Sequence, residues 1–182
     1  MTMRKTIEVI SRLAADGAIN EYAIAGAVAA LSYIQPFLTE DLDVLVSVSE
    51  FDQGPSGLIL QSGIESRLAT LGYTERSGVG VIVEGWPVQF IPVGSPLDEA
   101  ALRQATDIDL DGFTARFLRP EYLVAKAVSL GRLKDLARVE AFLDQDAVDL
   151  AALRLVLTEF DLLGAWKSFC LKAGRVDPLN VS

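Results

Sequence analysis

A chain of 182 residues with 51% apolar and 23% charged side chains is long enough for one domain with a sizeable core, and its composition argues against disorder. Histidine is absent, which excludes Ser-His-Asp and Cys-His catalysis and histidine-containing zinc sites, while the single cysteine excludes an internal disulfide. The net charge of −9 argues against a surface that coats nucleic acid generally, but it allows a local basic site.

The N-terminal segment predicts an amphipathic helix over residues 3–16. Ile7, Ile10 and Leu13 fall at helical spacing, and Gly17 follows where a helix often ends. The segment lacks the continuous apolar core of a signal peptide, and no window approaches the ~20 apolar residues of a membrane span. We therefore expect a cytoplasmic protein that does not enter a membrane.

A strand, a glycine and a helix are predicted next. Residues 22–25 form the strand, Gly26 and Ala27 follow it, and the helix covers residues 28–33 because Pro36 restricts the residue before it. Such an arrangement suits phosphate, since glycine allows close approach and the N–H groups of a helix start attract anions. A tight turn that simply needs a glycine is the alternative, and for Gly-Ala alone it is the better one.

Two carboxylates open the following strand, predicted over residues 41–46. Because side chains alternate along a strand, Asp41 and Asp43 share one face and apolar residues occupy the other. Paired oxygen donors of this kind suit Mg²⁺ beside phosphates. Taken alone, the pair is more simply explained as solvated acids at the start of a buried strand.

The middle of the chain predicts, in order, a loop over residues 47–57, a helix over 58–71, an edge strand over 73–76, and strands over 79–84 and 87–92. The last two strands are expected to form a hairpin that turns at Gly85-Trp86. In that register Glu84 pairs with Pro87 and becomes the diagonal neighbour of Gln89. Glu84 and Gln89 would then share the accessible face.

The remaining pattern predicts a helix over residues 96–104, a hairpin of strands over 107–111 and 113–118, helices over 120–131 and 132–143, and one or two helices between 149 and 173. Lys126 lies off the apolar stripe of its helix. The order of elements indicates an α+β (α/β-like) fold. We expect a mixed sheet with flanking helices in residues 1–118 and a helical region in residues 119–182 packed on it.

Residues 25–27, separated by thirteen residues from Asp41-Leu42-Asp43, resemble the signature of the nucleotidyltransferase superfamily that includes DNA polymerase beta. The longer run over residues 22–46 is most similar to the AbiEii toxin-type branch of small prokaryotic nucleotidyltransferases. Residues 119–135 add to this likeness, with a proline-started helix that carries a lysine and then Arg-x-Lys-Asp. The similarity spans roughly residues 19–143 and implies a nucleotidyltransferase core.

The resemblance implies Mg²⁺-dependent transfer of a nucleotidyl group from a nucleoside triphosphate to an RNA or protein acceptor. It also suggests the toxin half of a toxin–antitoxin pair, with an antitoxin protein as partner. Asp41 and Asp43 would hold the metal. Gly26, Ala27 and Thr39 would contact the nucleotide.

The resemblance also assigns roles to the later segment. Lys126, with Arg132 or Lys134, would neutralise phosphate charge, because these side chains stay protonated at pH 7. Asp135 would orient one of these basic side chains or act in catalysis. An ion pair on the helix surface is an equally compatible role for Asp135.

Two positions depart from the family pattern. The family has a third carboxylate on a later strand, where this chain has Gln89, which can coordinate a cation through its carbonyl oxygen but cannot take a proton. Glu84 is the candidate to replace it. Ala27 lacks the hydroxyl of a serine. These departures support an alternative, a weakened relative that binds nucleotide or a partner protein without turnover.

Residues 116–138 carry a local excess of positive charge and are a candidate RNA site. They contain six basic residues and two acidic ones: Arg116, Arg119, Lys126, Arg132, Lys134 and Arg138 against Glu121 and Asp135. Such a cluster suits a phosphate-rich substrate, and an ordinary solvated helix face is equally compatible. A third hypothesis is an unrelated small α/β domain. It would place Asp41 and Asp43 far from Gly26.

Overall fold

The computed structural model describes residues 3–35, 39–47, 58–78, 80–110 and 112–180. The chain divides into two compact units, a sheet unit (residues 1–28 and 38–118) and a helical unit (residues 29–37 and 119–182). Residues 29–37 group with the helices, although they precede most of the sheet in the chain. Parts of four predictions, at Pro36, residues 48–57, Val79 and Asp111, lie outside the described residues.

The sheet unit contains, in chain order, α1 (Met3–Ala15), β1 (Glu21–Ile24), the start of α2 (Gly26–Ala30), β2 (Leu42–Ser47), α3 (Leu58–Thr70), β3 (Arg76–Ser77), β4 (Gly80–Val83), β5 (Trp86–Pro92), α4 (Pro96–Arg103), β6 (Thr106–Asp109) and β7 (Thr114–Phe117). The strands form one sheet in the order β3-β4-β5-β2-β1-β7-β6. The β2–β5 and β1–β7 pairs are parallel and the other pairs are antiparallel. The predicted α+β class with a mixed sheet is confirmed.

Strand β2 lies at the centre of this sheet, between β5 and β1. Leu42, Val44, Leu45 and Val46 are all buried, as expected for a strand that is covered on both faces. Asp43 is the half-buried polar exception among them. The strand begins at Leu42, so Asp41 precedes it rather than opening it.

Helix α1 buries Ile7, Ile10 and Leu13, which confirms the predicted amphipathic helix. The buried hydroxyl of Thr6 donates a hydrogen bond of 3.1 Å to the carbonyl oxygen of Val83, and this bond joins α1 to β4. A buried polar group needs such a partner, since leaving it unsatisfied costs free energy. The N-terminal helix is therefore an integral part of the sheet unit.

The β4–β5 hairpin turns one residue earlier than predicted. Val83 lies opposite Trp86, so the turn consists of Glu84 and Gly85, which have φ values of 51° and 86°. Positive φ at both positions is the pattern of a type I′ turn, which matches the twist of the flanking strands. The hydroxyl of Tyr73 donates a 2.6 Å hydrogen bond to Glu84 Oε1 and holds this carboxylate at the turn.

The helical unit contains the end of α2 and the helices α5 (Pro120–Leu130), α6 (Leu133–Asp144), α7 (Leu150–Glu159) and α8 (Leu163–Ala173), followed by a 3-10 turn (Pro178–Asn180). Phe142, Trp166 and Phe169 lie in its core. The indole of Trp166 donates a 2.7 Å hydrogen bond to Asp177, which satisfies its buried N–H. Within the described parts of the chain, every helix is too short or too polar to cross a bilayer.

Replacing Tyr73 with Phe removes the hydrogen bond to Glu84, and we expect the free energy of unfolding at pH 7 to fall by about 1 kcal/mol. The hydrogen bond to Glu84 raises the pKa of Tyr73 above its usual value of 10.0. The contribution of this hydrogen bond to the free energy of unfolding is therefore complete below pH 10 and is lost as the pH rises through the raised pKa of Tyr73. Urea unfolding of both proteins between pH 7 and pH 11 measures this loss.

The matched control is Tyr33→Phe, since the buried Tyr33 hydroxyl has no hydrogen-bond partner among the described residues. This variant should be no less stable than the wild-type protein at pH 7. A stability difference for Tyr73→Phe that stays constant up to pH 11 would contradict the assignment.

Candidate functional site

Gly26 and Asp43, two residues of the predicted motif, are in direct contact in the sheet unit. The Ala25 N–H donates a 2.9 Å hydrogen bond to the Asp43 carbonyl oxygen, which aligns the end of β1 with the start of β2. A Cβ atom on Gly26 would lie 2.1 Å from Asp43 Oδ2 and 2.9 Å from its Cγ. The hypothesis that places the aspartates far from Gly26 therefore disagrees with the structure at Asp43.

Gly26 satisfies two requirements at once. Its φ of +59° is in the left-handed region, which favours glycine, and its lack of a side chain leaves room for the Asp43 carboxylate. The sequence predicted that a phosphate approaches Gly26 closely. In the structure, the Asp43 carboxylate is the group that does so. Contact between Gly26 and phosphate stays a prediction, as does the nucleotide-binding role of half-buried Ala27, the next residue of α2.

Gln89 is the direct neighbour of Asp43 across the β2–β5 pair. The two strands are parallel, with Leu42 opposite Val88 and Asp43 opposite Gln89. Because neighbouring strands lie about 4.8 Å apart, the side chains of such a pair emerge side by side on one face. A neutral amide therefore stands next to the Asp43 carboxylate.

Glu84 does not occupy a strand position beside Gln89. The predicted register, in which Glu84 pairs with Pro87, is wrong, since Pro87 lies opposite Ile82. The cause is the turn, because positive φ at Glu84 and Gly85 shifts the hairpin by one residue. Glu84 is therefore a turn residue hydrogen-bonded to Tyr73, and the contacts give no support to its predicted role as a metal ligand.

Asp41 and Gln89 line the same open pocket, which has a volume of about 220 Å³. The Thr39 hydroxyl donates a 3.1 Å hydrogen bond to the Asp41 carbonyl oxygen and so fixes the backbone where the chain enters β2. This contact is what the structure shows for Thr39, whose nucleotide-binding role stays a prediction. The other lining residues are Glu40, Ser77, Gly78, Gly80 and Pro87.

One wall of the pocket, formed by Ser77, Gly78 and Gly80, was not predicted from the sequence. Gly80 is required there because a Cβ atom would lie 2.9 Å from the Val88 carbonyl oxygen, so a side chain would push β4 away from β5. Gly78 and Gly80, two residues apart, are the sequence signal that could have found it. Ser77 adds a hydroxyl to the lining, and Glu40 adds a carboxylate beside Asp41.

The donors at this site fit a divalent cation such as Mg²⁺. Asp41 and Asp43 would supply carboxylate oxygens and Gln89 would supply an amide oxygen, which are the hard ligands that Mg²⁺ takes in proteins. Among the described residues, no three acidic, histidine or cysteine side chains converge closely enough to hold one ion. Two carboxylates and one neutral donor would leave other coordination positions for water or phosphate oxygens.

Lys126 lies on α5 in the helical unit. The residues around it, from Glu121 to Val128, are buried, whereas Lys126 itself is half-buried. The prediction that it lies off the apolar stripe of its helix is confirmed. Its proposed contact with phosphate stays a prediction.

Asp135 is held by two arginines of the same unit. Its carboxylate is only 3% exposed, and its oxygens accept hydrogen bonds of 2.5 Å from Arg132 Nε and Arg138 Nη2. Both carboxylate oxygens are therefore occupied by guanidinium donors. These contacts favour the ion-pair role over the catalytic one.

The basic cluster of residues 116–138 is divided between the two units. Arg116 belongs to β7 of the sheet unit and lies 3.9 Å from Glu21, and the other basic residues belong to the helical unit. Arg119 pairs with the buried Glu121 at 3.3 Å, in addition to the pairs around Asp135. Lys134 is exposed on the first turn of α6. Four of the six basic side chains thus lie beside an acid, but of these acids only Glu21 lies outside the segment whose charge was counted.

No family model matches this chain, and no curated protein matches it in sequence. Among solved structures, an antigenic nucleotidyltransferase-like protein from Paracoccidioides brasiliensis is similar, with a TM-score of 0.53 over 91% of this chain and 93% of that chain. The fold is nucleotidyltransferase-like. At 12% sequence identity this likeness concerns the fold alone, and it agrees with the fold that the family resemblance implied. Membership of the AbiEii-type branch stays a prediction.

We expect Gly26→Ala to lower the free energy of unfolding by about 2 kcal/mol or more, because positive φ is strained for alanine and its Cβ would collide with Asp43. Gly17→Ala is the matched control. Gly17 has a φ of +76° with open space around it, so this variant carries the backbone cost alone. Urea unfolding measures the excess cost at Gly26. That excess should shrink when both proteins also carry Asp43→Ala, because only the 3.0 Å contact with the Cβ of residue 43 then remains. An unchanged excess would contradict the proposed crowding.

Asp135→Ala should lower the free energy of unfolding by about 2–4 kcal/mol, since it leaves Arg138, which is largely buried, without its carboxylate partner. The control Lys134→Ala, on the same turn but exposed, should change stability by less than about 0.5 kcal/mol. Chemical denaturation checks both values. Equal, small effects of the two substitutions would rule out the structural role of Asp135.

Proposed function

We propose that this protein is a nucleotidyltransferase that binds a nucleoside triphosphate together with Mg²⁺ at Asp41 and Asp43. The observation that carries the proposal is the contact of Asp43 with Gly26 at the start of α2, on the central strand of a nucleotidyltransferase-like fold. An open pocket lined by Asp41 and Gln89 gives substrates access to the Asp41 side of the proposed site.

The protein groups divide the work of holding the triphosphate. Asp41 and Asp43 hold the cation, which neutralises charge on the phosphates when bound. Gly26 keeps the Asp43 carboxylate close to the start of α2, and Thr39 fixes the backbone at Asp41. These contacts preorganise the carboxylates, so little rearrangement is needed when the triphosphate binds.

The reaction is an in-line displacement at the α-phosphorus. An acceptor hydroxyl oxygen forms the new P–O bond while the bond to pyrophosphate breaks, and the hydroxyl proton passes to water. Gln89, next to Asp43, cannot accept this proton. The acceptor, RNA or protein, and a role in a toxin–antitoxin pair are proposed from the sequence resemblance, as is phosphate binding by Lys126 with Arg132 or Lys134.

A second candidate function is nucleotide binding without turnover. The register that places Gln89 opposite Asp43 favours it, because the neighbouring strand offers an amide where a carboxylate would add charge and a proton acceptor. Both candidates require the same cation-dependent nucleotide site. They differ only in whether a nucleotidyl group is transferred.

Calorimetric titration with ATP, CTP, GTP and UTP tests the shared site. We expect saturable binding of at least one triphosphate with Mg²⁺, and an affinity at least tenfold lower for Asp43→Asn, since it removes a charged ligand. Asp107→Asn, an exposed carboxylate on β6, is the matched control and should bind like the wild-type protein. Equal affinities for wild-type and Asp43→Asn protein would exclude the site.

Incubation with labelled triphosphates, total RNA and cell protein then separates the two functions. Label transferred by wild-type protein and lost in Asp43→Asn supports the enzyme. Tight, Asp43-dependent binding with no transferred label supports the binding protein instead.

A further inference from the structure

We propose that the site on β2 and β5 holds one divalent cation, and that Gln89 is the residue that prevents a second from binding. This inference rests on the proposed function, since it concerns the same carboxylates. It concerns the number of cations, which determines how the site can activate its substrates.

The charge of the site is the first limit on the number of bound cations. Asp41 and Asp43 carry two negative charges, which balance one divalent cation. In two-metal sites the ions lie about 3.5–4 Å apart and repel each other, so carboxylates near both ions are needed to offset the repulsion. A second ion here would lack that compensation.

The register of β2 and β5 is the second limit on the number of bound cations. Gln89 lies directly opposite Asp43 in the parallel β2–β5 pair, at the position from which a side chain can share an ion with Asp43. The glutamine amide offers a single neutral oxygen, and its NH₂ group is a donor that cannot face a cation. The position that could complete a second site therefore adds no negative charge.

Neighbouring acids do not compensate for the glutamine. Glu84 belongs to the hairpin turn and accepts the hydrogen bond of Tyr73. Glu40 lines the pocket with Asp41, but within the described residues no three acidic side chains converge on one point. The proposed cation site therefore rests on two carboxylates, Asp41 and Asp43.

A one-cation site has a chemical consequence. The bound cation and carboxylates suffice to hold a triphosphate, but no second cation lowers the pKa of the acceptor hydroxyl and no third carboxylate takes its proton. Activation of the acceptor would then depend on water or on the acceptor itself. Adding a carboxylate at position 89 should create the missing site.

The test is the number of Mn²⁺ ions bound per chain, measured from the electron paramagnetic resonance signal of free Mn²⁺ during titration. Wild-type protein should bind one ion and Gln89→Glu, which has the same shape plus one charge, should bind two. Gln104→Glu is the matched control. Gln104 is exposed at the end of α4, so this variant adds the same charge elsewhere and should bind one ion.

Two Mn²⁺ ions bound to the wild-type protein would overturn the inference, and so would a Gln89→Glu protein that binds one. Gln89→Asp provides a second variant if Gln89→Glu fails to fold, as judged by circular dichroism. Failure of the proposed function looks different, because wild-type and Asp43→Asn proteins would then bind Mn²⁺ equally.

Discussion

The contact between the Asp43 carboxylate and Gly26 is the constraint on which the candidate site depends. Asp43 is the half-buried polar residue within the apolar central strand, and its side chain has room only because the residue that follows β1 has no Cβ. The backbone hydrogen bond from Ala25 to Asp43 fixes the same junction. A central strand thus presents a carboxylate at the start of α2 with little freedom to move.

The neighbouring strands determine what surrounds this carboxylate. Strand β5 contributes Gln89 directly opposite Asp43, and the β3–β4 segment contributes the glycines and Ser77 that line the pocket. The short loop before β2 positions Asp41 through Thr39. The sheet unit alone therefore assembles two carboxylates, an amide and an open pocket, which is the basis for proposing cation-dependent nucleotide binding.

The sequence predicted the parts of the site that depend on local pattern. The apolar run after Asp41 identified the central strand, and the spacing from Gly26 indicated that the motif belongs together. The hairpin turn was predicted one residue too late, because nothing local shows that Glu84 adopts a positive φ. The pairing of Gln89 with Asp43 was also out of reach, since parallel strands distant in sequence find their register through the whole sheet.

The role of Asp135 was only partly predictable from the sequence. Arg132 and Arg138 are each three residues from it, a spacing that places side chains together at a helix, so the sequence contained the signal for an ion pair. The burial of Asp135 favours the ion pair. This burial results from helix packing, which the local sequence pattern does not predict. The resemblance to a family suggested chemistry at a position where the contacts favour the alternative role, an ion pair.

The most direct test of the central claim is a crystal structure of the protein with Mn²⁺ and a non-hydrolysable nucleoside triphosphate, read by anomalous scattering. We expect one Mn²⁺ peak in contact with Asp41, Asp43 and oxygens of the triphosphate. A triphosphate bound elsewhere, or Mn²⁺ peaks that do not touch Asp41 and Asp43, would contradict it.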